Sequence, residues 1–402
     1  MSPALRKPFL FLCLLFATFL PLAGGWLKWD GLPPMYGEFP AQAVLPPPPA
    51  FNFWYYVAGV ATVAVMVAFL LFPRLFGFKA PAETPRVQWG PLPGWFWPAV
   101  VVMVASWLLM WFAPPLAARF TFVPLWWGLI YALDGLVYAL AGGRSLVSVR
   151  KHEMLILALV SVVGWFLYEY WNYFVLSNWY YPYAHLLTPF GNIVWFSLSY
   201  TTVWPVCFEM FMLLMALPAF RLRWADGPKV AVPTAVVAAF LVVGLALQFL
   251  IGVFPYELFW GLWIGSLLIF GCALVLAGCW TPFTPAAQGD WSRFVLMALG
   301  TFFVGFVWEF WNYGSQAWRD APVNPNYWIY DVPYFNVHHL PFSEMPALGY
   351  FGYLAFGMIV WVYWLMIAHL LDLDPDFAHD DVLGGQQALS EDRGEQDGWE
   401  AA

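Results

Sequence analysis

The sequence predicts an all-α, polytopic integral membrane protein with about ten transmembrane helices. Hydrophobic residues make up 62% of its 402 residues and charged residues only 10%, whereas soluble chains carry about 25% charged residues. Ten stretches approach the length of about 20 mainly apolar residues that a helical span needs. They cover approximately residues 8–24, 53–73, 94–113, 121–142, 154–175, 191–217, 230–252, 257–279, 293–315 and 345–371.

The basic residues predict how these spans are oriented. In a ten-span arrangement most lysines and arginines fall on one side, and these are Arg6, Lys7, Arg74, Lys79, Arg86, Arg144, Arg150, Lys151, Arg221, Arg223, Lys229 and Arg293. Cytoplasmic loops carry the excess of positive charge in membrane proteins. We therefore expect a multi-pass protein of the bacterial inner membrane with both termini in the cytoplasm.

The two ends of the chain differ from its middle. Residues 1–92 hold two leading transmembrane helices and a Pro-rich outer loop, with LPPPPA at 45–50. We expect the first helix to be an uncleaved anchor, and a cleaved signal peptide is the alternative. Ten of the 24 acidic residues follow residue 371. Because residues 373–402 have little apolar surface to bury, we expect an acidic disordered tail, or alternatively a docking strip for a partner.

The middle of the chain contains an apparent duplication. The run YEYWNY at 168–173 returns as WEFWNY at 308–313, and a Trp-x-Tyr loop follows each copy, at 179–181 and 328–330. A span that opens with Trp-Gly-Leu precedes each copy, at 127–129 and 260–262. We predict two membrane repeats of four spans, over 93–220 and 229–372. Since four is even, the repeats should share one orientation about an axis along the membrane normal.

Each repeat carries a glutamate and an asparagine three residues apart, Glu169 with Asn172 and Glu309 with Asn312. This spacing places both side chains on one helical face, where the amide can donate a hydrogen bond to the carboxylate. A carboxylate that faces lipid is costly, so both glutamates should face the interior of the bundle, in its outer third. We predict that the glutamates are catalytic acids oriented by the asparagines. Hydrogen bonds that merely hold helices together are the alternative.

Other residues complete the predicted site. Glu344, at the outer start of the last span, and Glu209, in the sequence WPVCFEMFM, are further candidate acids, and Asp134 is the remaining acid inside a span. Aromatic residues beside the motifs and histidines of the outer loops are candidates for substrate binding. They are Trp171, Trp311, Tyr173, Tyr313, His185, His338 and His339. For the aromatic residues, an interfacial belt is the alternative.

Three functions fit this arrangement. Glutamates in a dry cavity can act as acids and bases on a lipid or isoprenoid, while aromatic faces stabilise a carbocation. The second is a metal site of Glu and His ligands, but no ExxH or HxxxH spacing occurs and the enzyme hypothesis requires no cofactor. The third is a transporter, or a scaffold subunit with other membrane proteins as partners. No Gly-rich phosphate loop indicates a nucleotide, and nothing indicates nucleic acid.

The order of motifs in the second repeat resembles a known family. Trp308-Glu309, Trp328-Ile329-Tyr330 and the sequence LPFSEMP at 340–346 are similar to motifs of the duplicated membrane lycopene cyclases, of the heterodimeric or fused type. In that family a Pro-x-Glu-Glu helix follows a Trp-x-Tyr/Phe turn, whereas only the single Glu344, or Glu209 in the first repeat, is present here. The resemblance covers about a third of the chain. It implies acid-catalysed isomerisation or cyclisation of an isoprenoid, with Glu209, Glu309 and Glu344 as candidate acids.

Overall fold

A computed structural model describes residues 2–44 and 46–375. Nearly all of the acidic tail predicted for 373–402 therefore lies outside the described residues. The described part folds into eleven apolar helices that form one bundle. They are α1 (Pro3–Trp29), α2 (Phe53–Leu71), α3 (Phe96–Phe112), α4 (Phe122–Leu140), α5 (Lys151–Asn172), α6 (Pro189–Tyr200), α7 (Val203–Ala216), α8 (Thr234–Val253), α9 (Gly261–Ala277), α10 (Ser292–Gly314) and α11 (Gly352–Leu371).

The helices account for all ten predicted spans. Eight helical segments among the described residues are long and apolar enough to cross a membrane, and α3 and α9 are shorter apolar helices. One of the eight segments comprises both α6 and α7, so the eleven helices correspond to the ten predicted stretches. The prediction of an all-α, multi-pass membrane protein is confirmed.

The span predicted for 191–217 is divided between α6 and α7. Pro205 has no backbone N–H to donate to the carbonyl of Thr201, so the regular helical hydrogen bonding stops there. The backbone N–H of Trp204 donates instead to Ser161 Oγ on α5, at 3.0 Å. The break thereby places Tyr200, the last residue of α6, next to α5.

Small residues allow the helices to approach closely. A Cβ added to Gly128 of α4 would lie 2.7 Å from the backbone nitrogen of Met103 on α3. A Cβ added to Gly252 of α8 would lie 2.4 Å from the carbonyl oxygen of Pro21 on α1. Glycine at these positions permits the close backbone contacts that are typical of membrane helix interfaces.

The two ends of the bundle have different character. At one end, Arg6 donates to the carbonyl of Ala277 at 3.2 Å, and Arg150 pairs with Asp374 at 3.1 Å. The starts of α1 and α5 therefore lie beside the ends of α9 and α11. At the opposite end, strands β1 (Trp179–Tyr180) and β2 (Ile329–Tyr330) pair in an antiparallel sheet. This sheet covers the ends of α5 and α10, where the two predicted glutamates lie.

Candidate functional site

Glu169, near the end of α5, accepts four hydrogen bonds on one oxygen. Its Oε1 accepts from Tyr181 Oη at 2.7 Å, Trp165 Nε1 at 3.0 Å, Trp179 Nε1 at 3.1 Å and Tyr200 Oη at 3.2 Å. The glutamate is buried, with 4% of its surface exposed. Neutral donors thus satisfy this oxygen, which lowers the cost of keeping the carboxyl group away from water. We call Glu169 and these four donors the first cluster.

Glu309 of α10 has a similar set of partners. Its Oε1 accepts from Tyr330 Oη and Tyr353 Oη, both at 2.8 Å, and from Trp328 Nε1 at 3.4 Å. The residue is fully buried, and its Oε2 has no hydrogen-bond partner among the described residues. We call Glu309 and these three donors the second cluster.

The two clusters are built in corresponding ways. In each, a Trp and a Tyr two positions apart in a loop reach the same carboxylate, because alternate residues of an extended segment point to the same side. They differ one helical turn before the glutamate, where Trp165 stands in the first cluster and Gly305 in the second. A Cβ on Gly305 would lie 2.2 Å from the ring of Tyr353. Glycine therefore makes the space through which Tyr353 reaches Glu309.

The asparagines hold the loops rather than the glutamates. Asn172 Nδ2 donates to the carbonyl of Trp179, and Asn312 Nδ2 donates to the carbonyl of Trp328, both at 2.8 Å. Asn312 Oδ1 also accepts from the backbone N–H of Trp328, at 3.0 Å. The predicted Glu–Asn hydrogen bond is absent among the described residues, because each loop folds back over the last helical turn. The asparagines thus position the indoles that bind the glutamates.

The short sheet joins the two clusters. Trp179 lies opposite Tyr330, and Tyr180 lies opposite Ile329. Burial raises the pKa of Tyr330 well above its usual value of 10.0, and the adjacent Glu309 raises this pKa further. Burial and the adjacent Glu169 raise the pKa of Tyr181 in the same way. Both phenols are therefore neutral near pH 7 and can donate to the carboxylates.

A cavity of about 670 Å³ lies between the clusters. All seven donor side chains line it, together with further aromatic residues such as Trp263, Trp308 and Phe356. No charged residue is among the described residues that line this cavity, and the two glutamates lie behind their donors. A molecule in the cavity would therefore contact phenols and indoles, and would reach the carboxylates only through them.

The aromatic residues predicted to bind substrate do not line the cavity. Trp171 donates its indole N–H to the carbonyl of Ala17 at 3.1 Å, and Tyr173 donates to the carbonyl of Glu38 at 2.6 Å. Trp311 packs on neighbouring tryptophans, and Tyr313 also lies outside the lining. Trp171 and Trp311 follow their glutamates by two residues, or about 200° around a helix, so they point to the opposite side.

The histidines and Glu344 lie outside the cavity as well. His185, His338 and His339 are exposed in the loops, and His185 Nδ1 lies 2.9 Å from the carbonyl of Pro182. Glu344 accepts a hydrogen bond from Tyr327 above the second cluster. Within the described residues, no group of three or more His, Cys, Asp and Glu could hold a metal ion. The alternative of a metal site with Glu and His ligands is therefore not supported by the geometry.

Glu209 belongs to a separate acidic pair. It is fully buried on α7, where its carboxyl group lies against that of Asp134 on α4. Asp134 accepts from Ser145 Oγ and the backbone N–H of Val147, both at 2.9 Å. Neither acid lines the cavity. The prediction that Glu209 acts with Glu169 and Glu309 is therefore not supported.

Sequence reasoning missed several residues of the clusters. Tyr200 and Tyr353 gave no signal, because each reaches its glutamate from another helix and lies outside the repeated motif. Trp165 lies one turn before Glu169 on α5, and this four-residue spacing was a signal that could have identified it. Tyr181 and Tyr330 were noted only as parts of the loops. Their shared spacing from Trp179 and Trp328 was the signal that could have assigned them to the glutamates.

Comparisons of the chain with protein-family models, with curated proteins and with solved structures find no match. The resemblance to the membrane lycopene cyclases therefore stays a prediction from the sequence motifs.

Proposed function

We propose that this protein is an intramembrane enzyme that acts on a lipid or isoprenoid by glutamate acid/base chemistry in the aromatic-lined cavity. One observation carries the proposal. Two buried glutamates are each hydrogen-bonded to tyrosine hydroxyls, and these hydroxyls line the same apolar cavity. Ligand pockets typically combine such apolar walls with a few convergent polar groups.

In the proposed chemistry, tyrosines relay protons between ligand and glutamate. In the base direction, a proton of the ligand passes to a Tyr oxygen while the hydroxyl proton of that Tyr passes to the carboxylate. In the acid direction, a protonated glutamate returns a proton through its Tyr to the ligand. In each direction the Tyr gives up one proton and takes up another, so its hydroxyl stays protonated. The glutamate is therefore the group that gains or loses a proton. The hydrogen-bond distances of 2.7–2.8 Å suit such transfer.

Two clusters on one cavity suit a reaction that neither gains nor loses a proton overall. If one cluster removes a proton and the other supplies one, the net result is movement of a double bond or closure of a ring. Protons exchanged with water then restore the starting state of the two glutamates. Aromatic faces along the walls would stabilise positive charge on the ligand during the reaction. Isomerisation or cyclisation is therefore the proposed reaction class, and it needs no cofactor.

Solvent deuterium provides a direct test. The protein is incubated with its own membrane lipids in D₂O, and the deuterium content of the lipids is measured by mass spectrometry. We expect enzyme-dependent incorporation that falls at least tenfold in Glu309→Gln and in Tyr330→Phe. Tyr180→Phe is the matched control, because Tyr180 lies in the same sheet but outside the cavity lining. Equal incorporation with and without the protein would refute the proposal.

A scaffold subunit is the second candidate, and a specific observation favours it. Each of Glu169, Glu309, Asn172 and Asn312 makes at least one hydrogen bond that ties a loop to a helix end, which a purely structural role also requires. In that case other membrane proteins should co-purify in a fixed ratio, and Glu309→Gln should change stability only. For a transporter, the uncharged cavity lining offers no comparable support.

The tandem duplication and the cytoplasmic termini belong to the same proposal. Matched packing supports the duplication, since α3 packs on α4 as α8 packs on α9, and α4 packs on α7 as α9 packs on α11. A two-fold axis would pass between Tyr180 and Ile329, which correspond in the two loops and also pair with each other. With both termini in the cytoplasm, the cavity would lie near the outer surface of the membrane.

A further inference from the structure

We propose that α2 closes a lateral opening of the cavity, and that the apolar chain of the ligand enters from the bilayer beside this helix. This inference rests on the proposed function, because it assumes that the cavity holds a lipid or isoprenoid. It adds the route of entry and a subsite for the ligand's chain.

One face of α2 forms a wall of the cavity. The lining residues of this helix include Tyr55, Ala58, Gly59, Thr62 and Met66, which recur at the three- and four-residue spacing of a single helical face. Ala58 and Thr62 are exposed although this face is turned toward the bundle, and no residue of α2 is buried. Space therefore separates the middle of α2 from the helices behind it.

The polar contacts of α2 are confined to its two ends. At the sheet end, Tyr55 Oη donates to the carbonyl of Glu257 at 2.9 Å. At the other end, Arg223 donates to the carbonyls of Leu70 and Leu71, at 3.2 and 2.8 Å, and Phe69 stacks on Trp224. Between residues 59 and 66, no hydrogen bond or ring contact joins α2 to another element in the part of the chain that the structure describes.

This attachment makes α2 the wall that moves at least cost. The other long helices that line the cavity have many buried residues, whereas displacing the middle of α2 breaks no hydrogen bond to another element. An isoprenoid or lipid resides in the bilayer, and passage from water through the covered outer end would expose its chain to solvent. Ala58 and Thr62 have small side chains and are exposed, so they leave a groove into which one such chain can fit.

Photo-crosslinking tests where the chain lies. Benzophenone side chains are placed singly at Thr62, at Ala64 and at Ala355, which lines the cavity on α11. Ala64 is the matched control, because it lies about 200° from Thr62 around the same helix and is exposed. The proteins are reconstituted in vesicles of phosphatidylethanolamine and phosphatidylglycerol with a trace of geranylgeraniol, and the adducts are identified by mass spectrometry.

We expect geranylgeraniol adducts at Thr62 and Ala355, and phospholipid adducts alone at Ala64. Adducts at Ala355 without any at Thr62 would overturn the α2 route and leave the cavity as the ligand site. No geranylgeraniol adduct at either position would overturn both the route and the proposed ligand class. Adducts at Thr62 but not at Ala355 would place the chain outside the cavity, and this too would overturn the route.

A plug variant gives a second test that does not depend on crosslinking. Thr62→Trp places a large ring on the side of α2 that lines the cavity. Ala64→Trp places the same ring on the side of α2 that faces away from the cavity. Both positions are exposed, so neither variant should disturb packing. We expect the amount of geranylgeraniol retained per protein to fall at least fivefold in Thr62→Trp only. Equal retention in both variants would contradict the inference.

Discussion

Gly305 provides a sharp test of how the second cluster is assembled. In Gly305→Ala the new Cβ would lie 2.2 Å from Tyr353 Cδ2 and 2.5 Å from Cε2. The ring would have to retreat by about 1.2 Å to restore an ordinary contact of 3.4 Å. Such a movement takes the Tyr353 hydroxyl from 2.8 Å to beyond hydrogen-bonding range of Glu309.

The expected cost follows from these two effects. A hydrogen bond contributes about 0.5–1.5 kcal/mol to a neutral partner and about 1.5–3 kcal/mol to a charged one, and an extra methyl group in a packed interior costs about 1–3 kcal/mol. Because the retreat of the ring relieves part of the overlap, the two effects do not add fully. We expect Gly305→Ala to lower the free energy of unfolding by about 2–4 kcal/mol.

Denaturant titration in a mild detergent measures this change. Gly352→Ala is the matched control, because Gly352 also lines the cavity but has no atom within 4 Å of an added Cβ. A double-mutant cycle with Tyr353→Phe then tests the mechanism, since Gly305→Ala should cost less once the hydroxyl is gone. The reasoning is refuted if Gly305→Ala is as stable as Gly352→Ala, or if the two costs simply add.

Three further predictions concern the loops, the helix contacts and pH. Asn312→Ala should lower the free energy of unfolding by about 1 kcal/mol more than Asn172→Ala, because Asn312 makes two loop hydrogen bonds and Asn172 one; equal costs in denaturant titration would contradict this. Gly252→Ala should lower the free energy of unfolding by at least about 2 kcal/mol, because the added methyl group would push α1 away from α8. Gly94→Ala is the control: its added Cβ would meet no atom within 4 Å, so the same titration should show almost no change in the free energy of unfolding. Burial raises the pKa of Tyr330 well above 10.0, so its contribution to stability is complete below pH 10.0 and is lost as pH rises through the folded-state pKa. Tyr330→Phe should therefore show a smaller alkaline loss of stability than the unmodified protein, and an equal loss would count against the buried neutral phenol.

The membrane spans could be predicted from the sequence because length and apolar composition alone determine them. The interruption between α6 and α7 was missed, although Pro205 marks it, because the whole stretch is apolar enough to span the membrane. Burial of Glu169 and Glu309 also followed from the sequence, since a carboxylate facing lipid is costly.

The partners of the glutamates could not be predicted in the same way. Helical spacing identifies neighbours on one helix, and it placed Asn172 and Asn312 beside the carboxylates. The structure shows that loop backbones compete successfully for these amides. Tyr200 and Tyr353 reach the glutamates from other helices, and such long-range contacts depend on packing that no spacing rule contains. For the same reason Glu209 was grouped with acids that lie in another part of the bundle.

Native mass spectrometry of the protein released gently from its own membranes tests the central claim most directly. We predict a protomer that carries one lipid or isoprenoid, identified by fragmentation of the excess mass. A variant that fills the cavity, Ala355→Trp, should lose this mass while remaining folded. A protomer without bound lipid, found instead in a fixed ratio with other subunits, would contradict the enzyme proposal and support a scaffold.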